Sequence, residues 1–201
     1  ELRSIEAVNK LALCYEEGRG TKKDKELASF YRKITENANN PTGLNQMCQS
    51  IPSKDEDITV NCLKTMSAFC STFALYSIGM ILKMKGDDKG AFKHFQMASD
   101  YGVFEATYEL ALCYKEWRGT KRDDRQALVL LKRASDGGIL EATYKLALCY
   151  EEGKGTEIGI NEALSLLRRA SEGGYGEASY RLGLIHEEGR GVTSNLEEAI
   201  K

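Results

Sequence analysis

An eleven-residue phrase, LALCYEEGRGT at residues 11–21, returns as LALCYKEWRGT at 110–120 and LALCYEEGKGT at 146–156, with a looser LGLIHEEGRGV at 182–192. A chain that writes one phrase four times is built from copies of one unit. Each copy must bury its apolar faces against its neighbours. Catalytic motifs are ordinarily written once, so the phrase is structural and function belongs to what differs between copies.

Two ladders of small residues count the copies. Ala7, Gly43, Ala74, Ala106, Ala142 and Ala178 form the first; Ala28, Thr59, Ala91, Ala127, Ala163 and Ala199 form the second. Successive rungs are 31, 32 or 36 residues apart, and six units result, with boundaries near 1–37, 38–68, 69–101, 102–137, 138–173 and 174–201, the last cut short. Together they read as one array over residues 1–201.

The fifth copy shows how a unit folds. Ala142, Leu146 and Tyr150 follow at four-residue steps with Ala147 beside them, one stripe of a helix. EEGKGT then supplies glycines able to take the left-handed conformation that closes a helix. A second stripe, Ala163, Leu164, Leu167 and Ala170, marks a return helix that ends at Gly173–Gly174. Asp24, Asp123 and Asn195 stand just before return helices, where a short polar side chain caps free backbone N–H groups. The expected fold is all-α, a right-handed α-solenoid of about six antiparallel helix pairs. Residues 40–57 and the shortened turn KMKGDDKG at 83–90 break the rule. The second and third units are still expected as helical hairpins, with a weaker seam near 39–72.

Twenty-eight basic against thirty acidic residues give a net charge of −2, without the clustered basic excess of a nucleic-acid binder. No apolar run approaches the roughly 20 residues of a membrane span. The sequence begins at Glu1 and stops inside an expected helix at Lys201, so both ends read as boundaries within a longer or processed protein.

The pattern resembles the Sel-one-like repeat family, relatives of the tetratricopeptide repeats. The resemblance rests on Ala142, Tyr144, Leu146, Ala147, Tyr150, Gly153, Gly155, Thr156, Ala163, Ala170 and Gly173, and departs at Gly159, where Asp is usual. Units one, four, five and six carry it, and units two and three only in their ladders. It implies a non-catalytic scaffold or adaptor that binds a protein partner on the concave surface lined by the first helices. It also brings two alternatives: the β-lactam binding or hydrolysis described for cysteine-rich members, and self-association through an open terminal repeat.

Candidate chemistry is thin. Cys14, Cys113 and Cys149 share a position that Ile81 and Ile185 also fill, as expected of small buried apolar side chains. Some cysteine-rich members join the two helices of each repeat by a disulfide, but units one, four and five have no second cysteine. Cys48, Cys62 and Cys70 leave one bridge open. No C-x-x-C supports a metal or redox centre. Free thiols suit a reducing compartment, and a cytoplasmic location is expected. His94 and His186 lie in packing positions, the chain offers no nucleophile with an orienting base, and neither a cofactor nor a metal is expected.

What remains is the first-helix face opposite the alanine stripe. It carries Tyr108, Glu109, Leu112 and Glu116 in unit four, Tyr144, Lys145, Leu148 and Glu152 in unit five, and Tyr180, Arg181, Leu184 and Glu188 in unit six. Two readings stand. Tyrosines flanked by charges of changing sign form a recognition groove, or the tyrosines and leucines pack between neighbouring helices and leave only charges exposed. Trp117 replaces the glycine of other copies at 18, 153 and 189. It either folds back as packing or, with Arg118, anchors the partner.

Overall fold

The computed structural model describes residues 5–52, 55–69 and 71–188. Among them are eleven α-helices, one short 3-10 turn at Cys48–Ser50 and no strand. The helices pair as α1 (Ile5–Glu17) with α2 (Lys25–Glu36), α5 (Thr72–Met84) with α6 (Asp88–Asp100), α7 (Phe104–Glu116) with α8 (Asp124–Asp136), and α9 (Leu140–Glu152) with α10 (Ile160–Glu172). α3 (Pro41–Met47) and α4 (Glu56–Ala68) occupy the irregular middle, and α11 (Gly176–Glu188) follows α10. This is the all-α, helix-pair class that the repeat implies. The chain divides into two compact units, Glu1–Val103 and Phe104–Lys201.

The repeated phrase closes each hairpin through its backbone. The first helix ends with two residues of positive φ bracketing one ordinary residue: Gly18 (77°) and Gly20 (70°), Trp117 (62°) and Gly119 (72°), Gly153 (68°) and Gly155 (77°). The residue between the pair donates to the carbonyl of the repeat cysteine: Arg19 to Cys14, Arg118 to Cys113, Lys154 to Cys149, at 3.0–3.1 Å. The cap of the return helix then donates to the tyrosine carbonyl: Asp24 to Tyr15 (2.8 Å), Asp123 to Tyr114 (3.2 Å), Gly159 to Tyr150 (2.9 Å). In the third unit the turn is shorter, yet Asp87 N–H still reaches Leu82 C=O at 2.9 Å. Leu82 aligns with those tyrosines, so the deletion spares the closing bond.

The cap of each return helix stands four residues before its ladder residue. Asp24, Asp55, Asp87 and Asp123 accept from backbone N–H groups of the first turn, which satisfies donors that a bare helix end leaves free. Gly159 has no side chain to do so. Asn195 lies outside the described residues.

Most of the ladder residues lie in the core. Ala74, Ala106, Ala142 and Ala178 are wholly buried, and Ala28, Ala91, Ala127 and Ala163 nearly so. The irregular middle does not interrupt the core of the first compact unit: Leu44, Cys62, Leu63 and Met66 pack with Val8, Leu27, Tyr31 and Ile78. Pro41 opens α3, where a missing N–H costs nothing, and Ser71 caps α5 where other units use a glycine turn.

Gly20 and Gly155 hold one repeat position in different surroundings. A Cβ on Gly20 meets nothing within 4 Å, whereas one on Gly155 collides with the backbone carbonyl of Asp124. Both alanine variants carry left-handed strain of roughly 1–2 kcal/mol. Gly155→Ala is expected to lower the melting temperature clearly more than Gly20→Ala; equal losses in thermal unfolding would mean that the inter-unit approach does not matter.

Candidate functional site

The first-helix face is best seen in the second compact unit, where α7, α9 and α11 repeat at 36 residues. Helical spacing puts positions 105, 108, 112 and 116 of α7 on one side. Tyr108 is half-buried and packs on the core formed by Ala111, Leu131, Ala142 and Leu146. Tyr144 rests against Tyr175 with ring centroids 5.3 Å apart and planes tilted by 46°. Tyr180 is 70% exposed. Leu112, Leu148 and Leu184 are half-buried. Tyr108 and Tyr144 thus follow the packing reading in part, and Tyr180 stands in solvent.

The charges are not the freely exposed column of alternating sign that the sequence suggested. Glu109 is only 9% exposed, because it falls between Ala106 and Cys113, one turn to either side on the buried stripe. Arg181 is tied to Glu151 through Nε–Oε2 (3.1 Å) and Nη2–Oε1 (2.6 Å), with only 7% of the Glu151 side chain exposed. Lys145 is half-buried. Glu116 pairs with Arg118 at 2.8 Å and Glu152 with Lys154 at 2.6 Å, and Glu17 pairs with Arg19 in the same way. These glutamates sit at helix C-termini, where the dipole disfavours them, and the basic residue inside each turn supplies the countercharge. The side chain of Glu188 lies outside the described residues.

Trp117 occupies the left-handed position itself, at φ 62°, and is the only non-glycine residue with positive φ among those described. The turn has not shifted to relieve it, and 69% of the residue is exposed. Packing therefore does not explain it.

The sequence reading missed the polar ties between units. Ser135 Oγ meets Thr143 Oγ1 at 2.8 Å and Arg169 reaches the pair, while Ser171 and Ser179 meet at 2.7 Å one repeat later. Serine and threonine at that spacing were legible as further ladders.

Cys14, Cys48, Cys62, Cys113 and Cys149 are free thiols; Cys70 lies outside the described residues. Cys48 donates to Leu44 C=O at 3.4 Å and approaches Ser71 Oγ at 3.6 Å. Cys62 lies beside the buried Tyr31 hydroxyl, and burial pushes its thiol up to about 11. Among the described residues no three His, Cys, Asp or Glu side chains gather as a metal site requires. His186 is buried, and His94 Nδ1 lies 2.9 Å from Gly90 C=O. No helix among the described residues is long and apolar enough to cross a membrane.

This architecture has counterparts. The Sel1 repeat model matches residues 5–31, 74–102, 104–139, 140–175 and 176–201, more than half of the chain. The chain belongs to the Sel1 repeat family. Residues 32–73, the irregular middle, fall outside the matches. The fold is similar to that of a Sel1 repeat protein from Oxalobacter formigenes, with a TM-score of 0.72 and 24% identity over 98% of this chain and 85% of that one. It is also similar to c5321, a protective antigen of uropathogenic Escherichia coli strains displaying an SLR fold, with a TM-score of 0.74 and 21% identity. That alignment covers 98% of this chain and 44% of the antigen. No curated protein matches the chain significantly. Sel1 repeat proteins are generally non-catalytic scaffolds for protein interaction.

Burial, reinforced by Glu109, Glu141 and Glu116, pushes the Tyr108 phenol up to about 12. For Tyr108 and Cys62 alike the folded state holds the proton more tightly than the unfolded state does. Their contribution to stability is complete below the ordinary values of 10.0 and 9.0 and lost as pH rises through about 12 and 11. The melting temperature is expected to fall from about pH 9 upward, and Tyr108→Phe to flatten the upper part of that fall. An unchanged profile in the Phe variant would remove Tyr108 from the account.

Proposed function

We propose that this Sel1 repeat protein is a non-catalytic adaptor that binds a segment of a partner protein on the first-helix face of residues 104–188, with Trp117 as an anchor. Trp117 carries the reading. The repeat prefers glycine there, and a side chain in the left-handed region costs roughly 1–2 kcal/mol. Such strain persists where the surrounding structure over-determines it and is concentrated at functional positions. Burial does not offset it, since the indole faces solvent. Tryptophan, tyrosine and arginine dominate the energetics of protein interfaces, and Trp117, Arg118 and Tyr180 are those residue types.

Reduced thiols accompany this reading and suit a reducing, cytoplasmic setting. Alkylation of the unfolded native protein without reductant is expected to label all six cysteines.

Trp117→Gly restores the residue of the other copies and tests the anchor. The variant is expected to melt at the same temperature or higher while losing at least about tenfold in partner affinity, the scale of a hot-spot residue. Lower stability with intact capture of the partner would reduce Trp117 to a packing residue.

A further inference from the structure

Charges in the second compact unit are sorted by helix. Every charged residue described as exposed on α7, α9 and α11 is a glutamate, Glu116 and Glu152 with 42% of the side chain exposed, and the cations Lys115, Lys145 and Arg181 are half-buried on the same helices. The return helices α8 and α10 differ: there Arg125, Lys132, Arg133, Arg168 and Arg169 are exposed among carboxylates. The two faces of this unit therefore present different charge to an approaching molecule.

Three of the exposed glutamates stand in register with the tyrosines. Glu105 precedes Tyr108, Glu141 precedes Tyr144 and Glu177 precedes Tyr180, each by three residues and each pair 36 residues from the next. Three residues is close to one helical turn, so carboxylate and ring share a face. None of these three glutamates forms an ion pair among the described residues. Glu141 acts on the units to either side of its own: its charge contributes to raising both Tyr108 and Tyr175, after burial in each case. The helix dipole favours a glutamate in each first turn by about 0.3–1 kcal/mol. It does not call for a tyrosine one turn later.

We propose that this face takes an extended basic protein segment whose Lys or Arg side chains meet Glu105, Glu141 and Glu177 and lie across the adjoining tyrosine rings. The inference rests on the adaptor reading above and names its partner's chemistry. Guanidinium groups suit both halves of the surface, pairing with carboxylates in a fork and stacking on aromatic faces. An acidic face repels nucleic acid and anionic lipid alike and steers a basic chain toward it. The first helices α7 and α9 contribute to one core with the return helix α8 between them. An extended chain rises about 3.3 Å per residue. Basic residues at a regular spacing along such a chain can meet glutamates that recur from unit to unit.

The test uses the full chain and labelled synthetic peptides in fluorescence anisotropy. One peptide carries arginine at every third position among glycine and serine; a second has the same composition with the arginines contiguous; a third has glutamate for arginine. The spaced basic peptide is expected to bind best and to weaken about tenfold when Glu105→Gln, Glu141→Gln and Glu177→Gln are combined, the scale of three exposed ion pairs. The melting temperature reports that the combined variant is folded. Equal binding to wild type and to this variant overturns the proposal.

A random displayed-peptide selection separates this proposal from the adaptor reading. Binders lost on Tyr180→Ala or Trp117→Gly but showing no excess of Lys or Arg overturn the basic chemistry and leave the adaptor standing. A selection yielding no binder sensitive to either substitution counts against both. Salt-sensitive dimers in sedimentation, abolished by the three glutamine substitutions, would make the occupant the basic return helices of a second copy and also overturn the proposal.

Discussion

A single backbone hydrogen bond per hairpin, from the cap of the return helix to a carbonyl near the end of the first, sets the geometry on which the rest of the structure depends. It forms from Asp24, Asp87, Asp123 and Gly159 in turns of two different lengths. Because donor and acceptor are backbone, the bond tolerates any side chain that permits the turn. What the longer turn demands is two left-handed residues, and this is why the phrase is rewritten almost unchanged. A buried amide or carbonyl left without a partner costs about 1–3 kcal/mol, so a copy that lost the turn would lose more than a loop. The third unit shows the rule under stress: its turn shortens, but the amide still finds the aligned carbonyl at Leu82.

Much of this was legible in the sequence because the physics repeats. The alanine ladders were readable as helix contacts, and from the third unit to the fifth they are buried. Asp24 and Asp123 were readable as caps; Asp55 and Asp87 obey the same four-residue rule and escaped notice only because their units look irregular. Glu109 was misplaced for a different reason. A charged residue is assigned to solvent by its chemistry, whereas its position between Ala106 and Cys113 puts it on the buried stripe. The partnerships of the paired glutamates were also hidden. A bond from Glu151 to Arg181 spans thirty residues, and nothing in local spacing shows which arginine a glutamate will meet.

Between units the structure relies on two kinds of contact. Alanines allow close approach through dispersion and burial, without direction. Hydroxyl pairs such as Ser135–Thr143 and Ser171–Ser179 supply direction, and the partly buried Glu151–Arg181 pair adds a charged version. A buried pair is weak support for stability as such, but removing one partner strands the other. Arg181 therefore serves the array first, and its guanidinium is already engaged before any partner arrives.

This division of labour explains where a recognition surface can arise at all. Residues that close turns, cap helices or tie units together cannot vary without cost, so variation is confined to positions the array does not use. The exposed glutamates and Tyr180 on the first helices stand outside those duties, though their residue types repeat from copy to copy instead of varying. Trp117 is a stronger case, because it varies where the array does have a preference. Its turn is held by the Arg118 bond to Cys113, by the Asp123 bond to Tyr114 and by the Asp123 cap on α8. Three restraints that owe nothing to the side chain at 117 allow the backbone to stay left-handed there despite the strain. A turn over-determined in this way can display an indole where the repeat otherwise places glycine, at the end of α7 and facing solvent.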